Sequence, residues 1–160
     1  MMGLESHSGV RRVREALEDL GFEPGIVELD RTARSAAEAA EALDVRVEQI
    51  VKSLVFRGRE TGSPVLVLAG GANRVDEARI SDLVSEPVEM AAAAYVREKT
   101  GFPIGGVPPV GHAERPVALV DEDLMREEKV WAAAGHTHAV FGMKPAELVE
   151  ITGGRVVAVR

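Results

Sequence analysis

Lys52 interrupts the apolar run Ile50-Val-Lys-Ser-Leu-Val-Phe56. An ammonium group is costly to bury unless it faces a cleft or a partner. If the run is a strand, Lys52, Leu54 and Phe56 share one face while Val51, Ser53 and Val55 share the other, so the lysine heads an otherwise apolar face. Two readings stand side by side: a cation at the mouth of a cleft, or a strand-end lysine whose stem covers apolar surface while its head reaches water. A second candidate is the loop Gly105-Gly-Val-Pro-Pro-Val-Gly111. Gly105 and Gly106 permit close approach of a ligand, Pro108 and Pro109 stiffen the chain, and Gly105, Gly106 and Val107 are the main amide donors, able to cradle an oxyanion. The plain alternative is a loop that turns a corner.

His112, His136 and His138 raise a metal reading, because His136-Thr-His138 would put two imidazoles on one side of an extended segment. No supporting carboxylate motif accompanies them, and solvated loop histidines are the competing account. His7 reads as part of an unstructured tail, and Asp121-Glu-Asp123 as a solvated turn or helix start. Several chemistries are absent. The chain has no cysteine, so thiolate zinc sites and Cys nucleophiles are excluded. It has no Gly-x-Ser-x-Gly elbow, and the Lys-Ser/Thr that would complete a phosphate-binding Walker loop does not follow Gly111.

These residues must be positioned by short, interleaved elements. Val10, Val13, Leu17 and Leu20 recur at helical spacing and end at Gly21. A strand is expected over Ile26–Leu29, and Ser35-Ala-Ala-Glu38 is a capping box that opens a second helix to Leu43. Ile50–Arg57 and Pro64–Ala69 flank a polar loop and predict an antiparallel hairpin. Helices follow over Val75–Val84, Ala91–Lys99 and Pro145–Ile151, with strands at Pro87–Met90, Val117–Val120, Val130–Ala133, Ala139–Phe141 and Val156–Val159. Phe102–Gly111 carries three glycines and three prolines, too many for a helix interior or central strand.

At 160 residues and 46% hydrophobic content the chain suits one compact domain, expected over residues 10–160 behind a flexible tail, residues 1–9. No basic n-region or long apolar window marks a leader or a membrane span, so a cytoplasmic protein is expected. A formal charge of -7 argues against broad nucleic-acid binding and allows only a small, local RNA contact.

Taken in order, Val51-Lys-Ser-Leu-Val-Phe56, the loop from Thr100-Gly101 through Gly105–Gly111, and Val130-Trp-Ala-Ala-Ala-Gly135 resemble the three signatures of the YbaK/prolyl-tRNA-synthetase-associated domain family. The resemblance runs from about Val10 to the C-terminus, including Thr32-Ala-Arg-Ser-Ala36 and Lys144-Pro-Ala-Glu-Leu148. It implies an α+β (mixed α/β) fold, a curled mixed sheet or partial barrel surrounded by helices, like the prolyl-tRNA synthetase editing domain. It implies a trans-editing deacylase that hydrolyses the ester of a mischarged tRNA, a small amino acid on tRNA-Pro or a related tRNA. No cofactor or metal is implied. The expected partners are the 3′ acceptor end of the tRNA and an aminoacyl-tRNA synthetase such as prolyl-tRNA synthetase, with no membrane and no DNA.

Carried residue by residue, the resemblance gives the chemistry to Lys52 and to the backbone of Gly105, Gly106 and Val107. Substrate contacts fall on Thr32, Ser53, Pro108, Pro109, Gly135 and His136. Where the alanine-removing branch has a His-Pro pair, this chain has Ala133-Ala134, which puts alanine specificity in doubt. A non-catalytic module that binds an amino acid, a tRNA or a synthetase remains the competing reading.

Overall fold

The computed structural model describes residues 7–23 and 25–160. Five helices, α1 (Ser8–Asp19), α2 (Ala36–Leu43), α3 (Glu77–Val84), α4 (Ala93–Thr100) and α5 (Pro145–Thr152), surround two sheets. The strands are β1 (Ile26–Glu28), β2 (Val51–Gly58), β3 (Pro64–Gly70), β4 (Val88–Met90), β5 (Val117–Asp121), β6 (Val130–His136), β7 (Ala139–Met143) and β8 (Arg155–Val157). One sheet is antiparallel in the order β1-β7-β6; the other is mixed, β4-β2-β3-β5-β8. In the second, β2 lies antiparallel to β3 and β4, while β3, β5 and β8 are parallel. This is the expected mixed α+β architecture, with the sheets not closed into a barrel.

Local chemistry explains most boundaries. Ser35 accepts from the Glu38 amide while the Glu38 carboxylate accepts from the Ser35 amide, so the capping box opens α2 as expected. The Val75–Val84 helix begins later than expected, at Glu77, because Asp76 caps it by accepting from the amides of Ala78 and Arg79. The last strand starts one residue earlier and ends two residues earlier than expected, at Arg155–Val157. Ser8 and Gly9, placed in the tail by the sequence, already belong to α1; the rest of that tail, apart from His7, is outside the described residues.

All seven residues of β3 are buried, because the five-stranded sheet carries a core on each face. Leu66 and Leu68, with Val51 and Val55 of β2, pack against Val10, Val13 and Leu17 of α1 and against Phe102 and Phe141. Val65, Val67 and Phe56 pack on the opposite face with Ile80, Leu119 and Val159. The alternation expected around Lys52 therefore holds.

Besides their shared core, the two sheets are joined among the described residues by one backbone bridge, the parallel pairing of Ile50 with Trp131. At the far end of β6, a bulge between Ala133 and His136 brings Gly135 against α1. Gly135 has φ +91°, and a Cβ there would sit 2.5 Å from the Gly9 carbonyl oxygen and 3.0 Å from Val13 Cγ2. Only glycine allows this contact. Gly135→Ala should therefore lower unfolding stability by about 2 kcal/mol or more. Gly21→Ala, at φ +77° with no atom within 4 Å, should cost only about 1 kcal/mol. Urea unfolding of the two variants measures the difference.

Candidate active site

A cleft of about 240 Å³ opens beside that bridge, between β2 and β6. Its walls include Val51–Leu54 of β2, Trp131–Ala133 of β6, Ala33–Ala36 at the start of α2, and Ile104, Gly105 and Val107 of the Gly/Pro loop. Two ionisable side chains line it, Lys52 and Arg34, and both are cations. Ser35 and Ser53 contribute hydroxyls, but the Ser35 hydroxyl accepts from the Glu38 amide while the Glu38 carboxylate is taken by the amides of Arg34 and Ser35, and no His, Asp or Glu lines the cleft, so neither serine is paired with a base. The Ser53 hydroxyl is buried and has no hydrogen-bond partner among the described residues.

Lys52 is held rather than free. Its ammonium donates to the Asn73 carbonyl in the turn after β3. Asn73 is fixed in turn: its side-chain amide donates to Asp121 Oδ2 at 2.7 Å and to Asp123 Oδ2 at 2.8 Å. Asp121 was expected in a solvated turn, yet it is 1% exposed. It accepts from the amides of Gly70 and Asp123, both at 2.9 Å, as well as from Asn73, which satisfies a carboxylate that burial alone would exclude. Burial pushes the Lys52 pKa below the ordinary lysine value, and the nearby Asp121 charge pulls it part of the way back.

The loop holds its shape through glycine geometry and one imidazole. Gly105 has φ +89°, the left-handed conformation that side chains disfavour. Gly106 departs from the sequence reading: its amide donates to the Pro103 carbonyl at 3.0 Å, and it is buried against the His136 backbone, where a Cβ would meet three atoms at 3.1–3.2 Å. Its contribution is close packing rather than an amide aimed at a ligand. The amides of Gly105 and Val107 are taken by no hydrogen bond among the described residues. His112 bonds the Pro108 carbonyl at 2.6 Å through Nε2, while its Nδ1 is buried without a partner among the described residues. Burial lowers its pKa and favours the neutral ring, whose Nε2–H then donates to Pro108.

Of the residues singled out in the sequence, the cleft thus gathers Lys52, Ser53, Gly105 and Val107. Pro108 and Pro109 are buried beyond the lining. Thr32 lies next to Ala33, whose amide bonds the Thr137 carbonyl, and it does not line the cleft. Gly135 and His136 belong to the contact with α1 and the Gly106 backbone. His136 and His138 stand edge to face at 5.4 Å, and His136 and His7 at 4.5 Å. Burial and the two neighbouring rings lower the His136 pKa. Among the described residues no group of three or more His, Cys, Asp or Glu is placed to hold a metal.

Residues 30–151 match the aminoacyl-tRNA editing domain family. The chain belongs to that family. A solved structure of a candidate trans-editing enzyme for prolyl tRNA synthetase is 47% identical, superimposes with a TM-score of 0.90, and shares 96% of this chain and 97% of its own. The uncharacterized protein YwhH of Bacillus subtilis is 30% identical over 147 residues, 92% of this chain and 93% of that protein. The proline–tRNA ligase of Kosmotoga olearia is 36% identical over 89 residues, and the matched segment spans 15% of the ligase.

Within this editing domain, Arg34 is the cleft residue the sequence reading missed. Its amide and that of Ser35 both donate to Glu38, and its Cβ–Cγ stem lies against Gly105, so the capping box that starts α2 also sets this arginine beside the loop. The pair Asn73 and Asp121 was missed as well, although it anchors the one lysine the sequence emphasised. Replacing Asp121 by Asn removes the charge that raises the Lys52 pKa, so the lysine should lose its proton at lower pH in the variant. An NMR titration of the Lys52 side chain in both proteins reads this shift directly, independent of any activity.

Proposed function

We propose that this chain is a trans-editing deacylase that hydrolyses the ester of a mischarged tRNA carrying a small amino acid, with tRNA-Pro or a related tRNA as the carrier. The observation that carries the reading is the cleft itself. It joins two cations to the uncommitted amides of Gly105 and Val107, and its lining holds no carboxylate, imidazole or paired nucleophile. Such a site suits a reaction in which the substrate brings its own proton relay.

In the proposed reaction Lys52 and Arg34 hold the phosphate-bearing 3′ end of the tRNA, as compact and forked cations respectively. Water adds to the acyl carbon, and the negative charge that grows on the carbonyl oxygen is met by the amides of Gly105 and Val107. The vicinal ribose hydroxyl takes a proton from the adding water and passes its own to the leaving oxygen as the C–O bond breaks, releasing the free amino acid and the tRNA. Ile104, Trp131 and Val140 bound the acyl space. Family membership supports the reaction class, and the 47% identical structure supports action in trans. Action in the cytoplasm belongs to the same reading; among the described residues no helix is long and apolar enough to cross a membrane.

Lys52→Ala should remain folded, because it removes a positioning cation and little core volume, while single-turnover deacylation falls about 10²-fold or more. A folded variant with parental activity would return Lys52 to a merely structural role, whereas no deacylation by the parental protein on any mischarged tRNA would favour a binding module. Gly105→Ala should likewise lower turnover about 10²-fold, since the strained φ misaligns the cradle. Gly106→Ala should act first on stability, because its Cβ presses on the His136 backbone. Thermal melts run beside steady-state rates on one mischarged tRNA separate the two effects.

A further inference from the structure

Four consecutive residues of β2, Val51–Leu54, and three of β6, Trp131–Ala133, line the same cleft. Side chains alternate across a strand, so consecutive residues can share a cavity only where it runs along the strand's edge. The cleft is therefore bounded by main chain, and the register says which groups face it. The Gly58 amide bonds the Ser63 carbonyl and the Gly71 amide bonds the Ile50 carbonyl, which turns the even-numbered residues of β2 toward β3. Ser53 and Val55 point the other way. Past the cleft that edge is covered, where the Ala91 amide bonds the Val55 carbonyl and β4 begins. At Ser53 that edge carries no strand pairing among the described residues, because β4 pairs only with Phe56–Gly58.

The opposite wall follows the same logic. Ile50 commits its amide to the Val47 carbonyl and its carbonyl to the Gly71 amide, so the Ile50–Trp131 bridge is made by the main-chain groups of Trp131 pointing at β2. By alternation those of Ala133, two residues on and before the bulge, point the same way. Two free strand edges thus face one another, each offering a carbonyl. The side chains offer none of the complementary charge: both ionisable groups in the lining are cations, and it contains no Asp or Glu.

We propose that the main-chain carbonyls of Ser53 and Ala133 bind the α-ammonium group of the aminoacyl ester, and so restrict the site to acyl groups with a free α-amine. The proposal rests on the deacylase reading and adds to it the substrate feature recognised. An ammonium between Lys52 and Arg34 needs acceptors, and main-chain carbonyls supply them without the carboxylate that would pair with those cations. Because every amino acid carries this group, the two carbonyls set the class of substrate, and the width of the cleft sets which side chain enters. Peptidyl and other N-blocked esters have no ammonium to offer and add bulk at the same point.

The test charges tRNA with each of a panel of amino acids, identifies the ester removed fastest, and then presents that acyl group as its N-acetyl derivative and as the corresponding α-hydroxy acid. Each rate is divided by spontaneous hydrolysis in the same buffer, because a protonated amine activates its own ester. The α-hydroxy ester should lose about 10²-fold of the enzyme's acceleration, and the N-acetyl ester at least as much. In parallel, a non-hydrolysable 3′-aminoacylamino adenosine should shift the carbonyl ¹³C resonances of Ser53 and Ala133, and its α-hydroxy counterpart should not. Equal acceleration of the amino and hydroxy esters overturns the proposal and leaves the deacylase reading standing. Acceleration of none of the amino esters overturns both.

Discussion

The Ile50–Trp131 bridge is the point on which the rest of the site depends, because it pairs the backbones of the two sheets at one residue pair and then lets the strand edges part. Were β2 and β6 paired along their length, the sheets would form one continuous surface and the edge groups would be consumed in a ladder. Instead β2 continues toward β4 and β6 toward the bulge at Ala133–His136, and a wedge opens between them. Unpaired strand edges are a liability in most folds, since they invite pairing with another chain. Here the edge is recessed: the Gly/Pro loop and the start of α2 line the wedge together with the two strands, around a space of about 240 Å³.

Charge is arranged to match. A chain of formal charge -7 repels polyanions over most of its surface, so a cation that is to act on one must be held at a defined place. Lys52 is held there by a relay of two contacts: Asp121, buried and fully bonded, fixes Asn73, and the Asn73 carbonyl receives the ammonium. The same Asp121 charge opposes the loss of the lysine proton that burial promotes. Asp123 is held more openly, by Asn73 and by Arg160 at 3.1 Å, and these contacts keep its carboxyl below the usual range. The acidic cluster is thus a support for the lysine rather than a cation site of its own.

How much of this could be read from the sequence depends on the range of the interactions. The Ser35–Glu38 box, the β2–β3 hairpin and the helical spacing of Val10, Val13 and Leu17 are local, and each was legible. Lys52 was legible because a lone charge inside an apolar strand demands a reason. Arg34 was not, since an arginine in a polar stretch looks like surface until the fold sets it against Gly105, 71 positions later. Asp121 looked like a turn residue because its partner Asn73 lies 48 positions away. The amide of Gly106 was misread for a shorter-range reason: a turn closing on Pro103 claims it, and glycine content alone does not reveal which amides a turn consumes.

Size completes the argument about what enters the wedge. Sites that engulf a whole drug-sized ligand run to roughly 300–1,000 Å³, and this cleft holds about 240 Å³. In the proposed reaction only the acyl end of the aminoacyl-tRNA would be inside, and the remainder would lie across the mouth. A second depression begins there, sharing Lys52 and Leu54 with the cleft and adding Asn73, Arg74 and the exposed Met90. Lys52 therefore stands at the boundary of two spaces, with the Asn73 carbonyl as its tether, and one side chain can serve an acyl group on one side and a phosphate-bearing chain on the other. In the proposed reaction that division would leave recognition of the small group to backbone and recognition of the large one to Lys52 and Arg34. The same reading accounts for a cleft lined by open strand edges and loop backbone, with its most conspicuous side chain tethered at the mouth to position a substrate rather than to react with it.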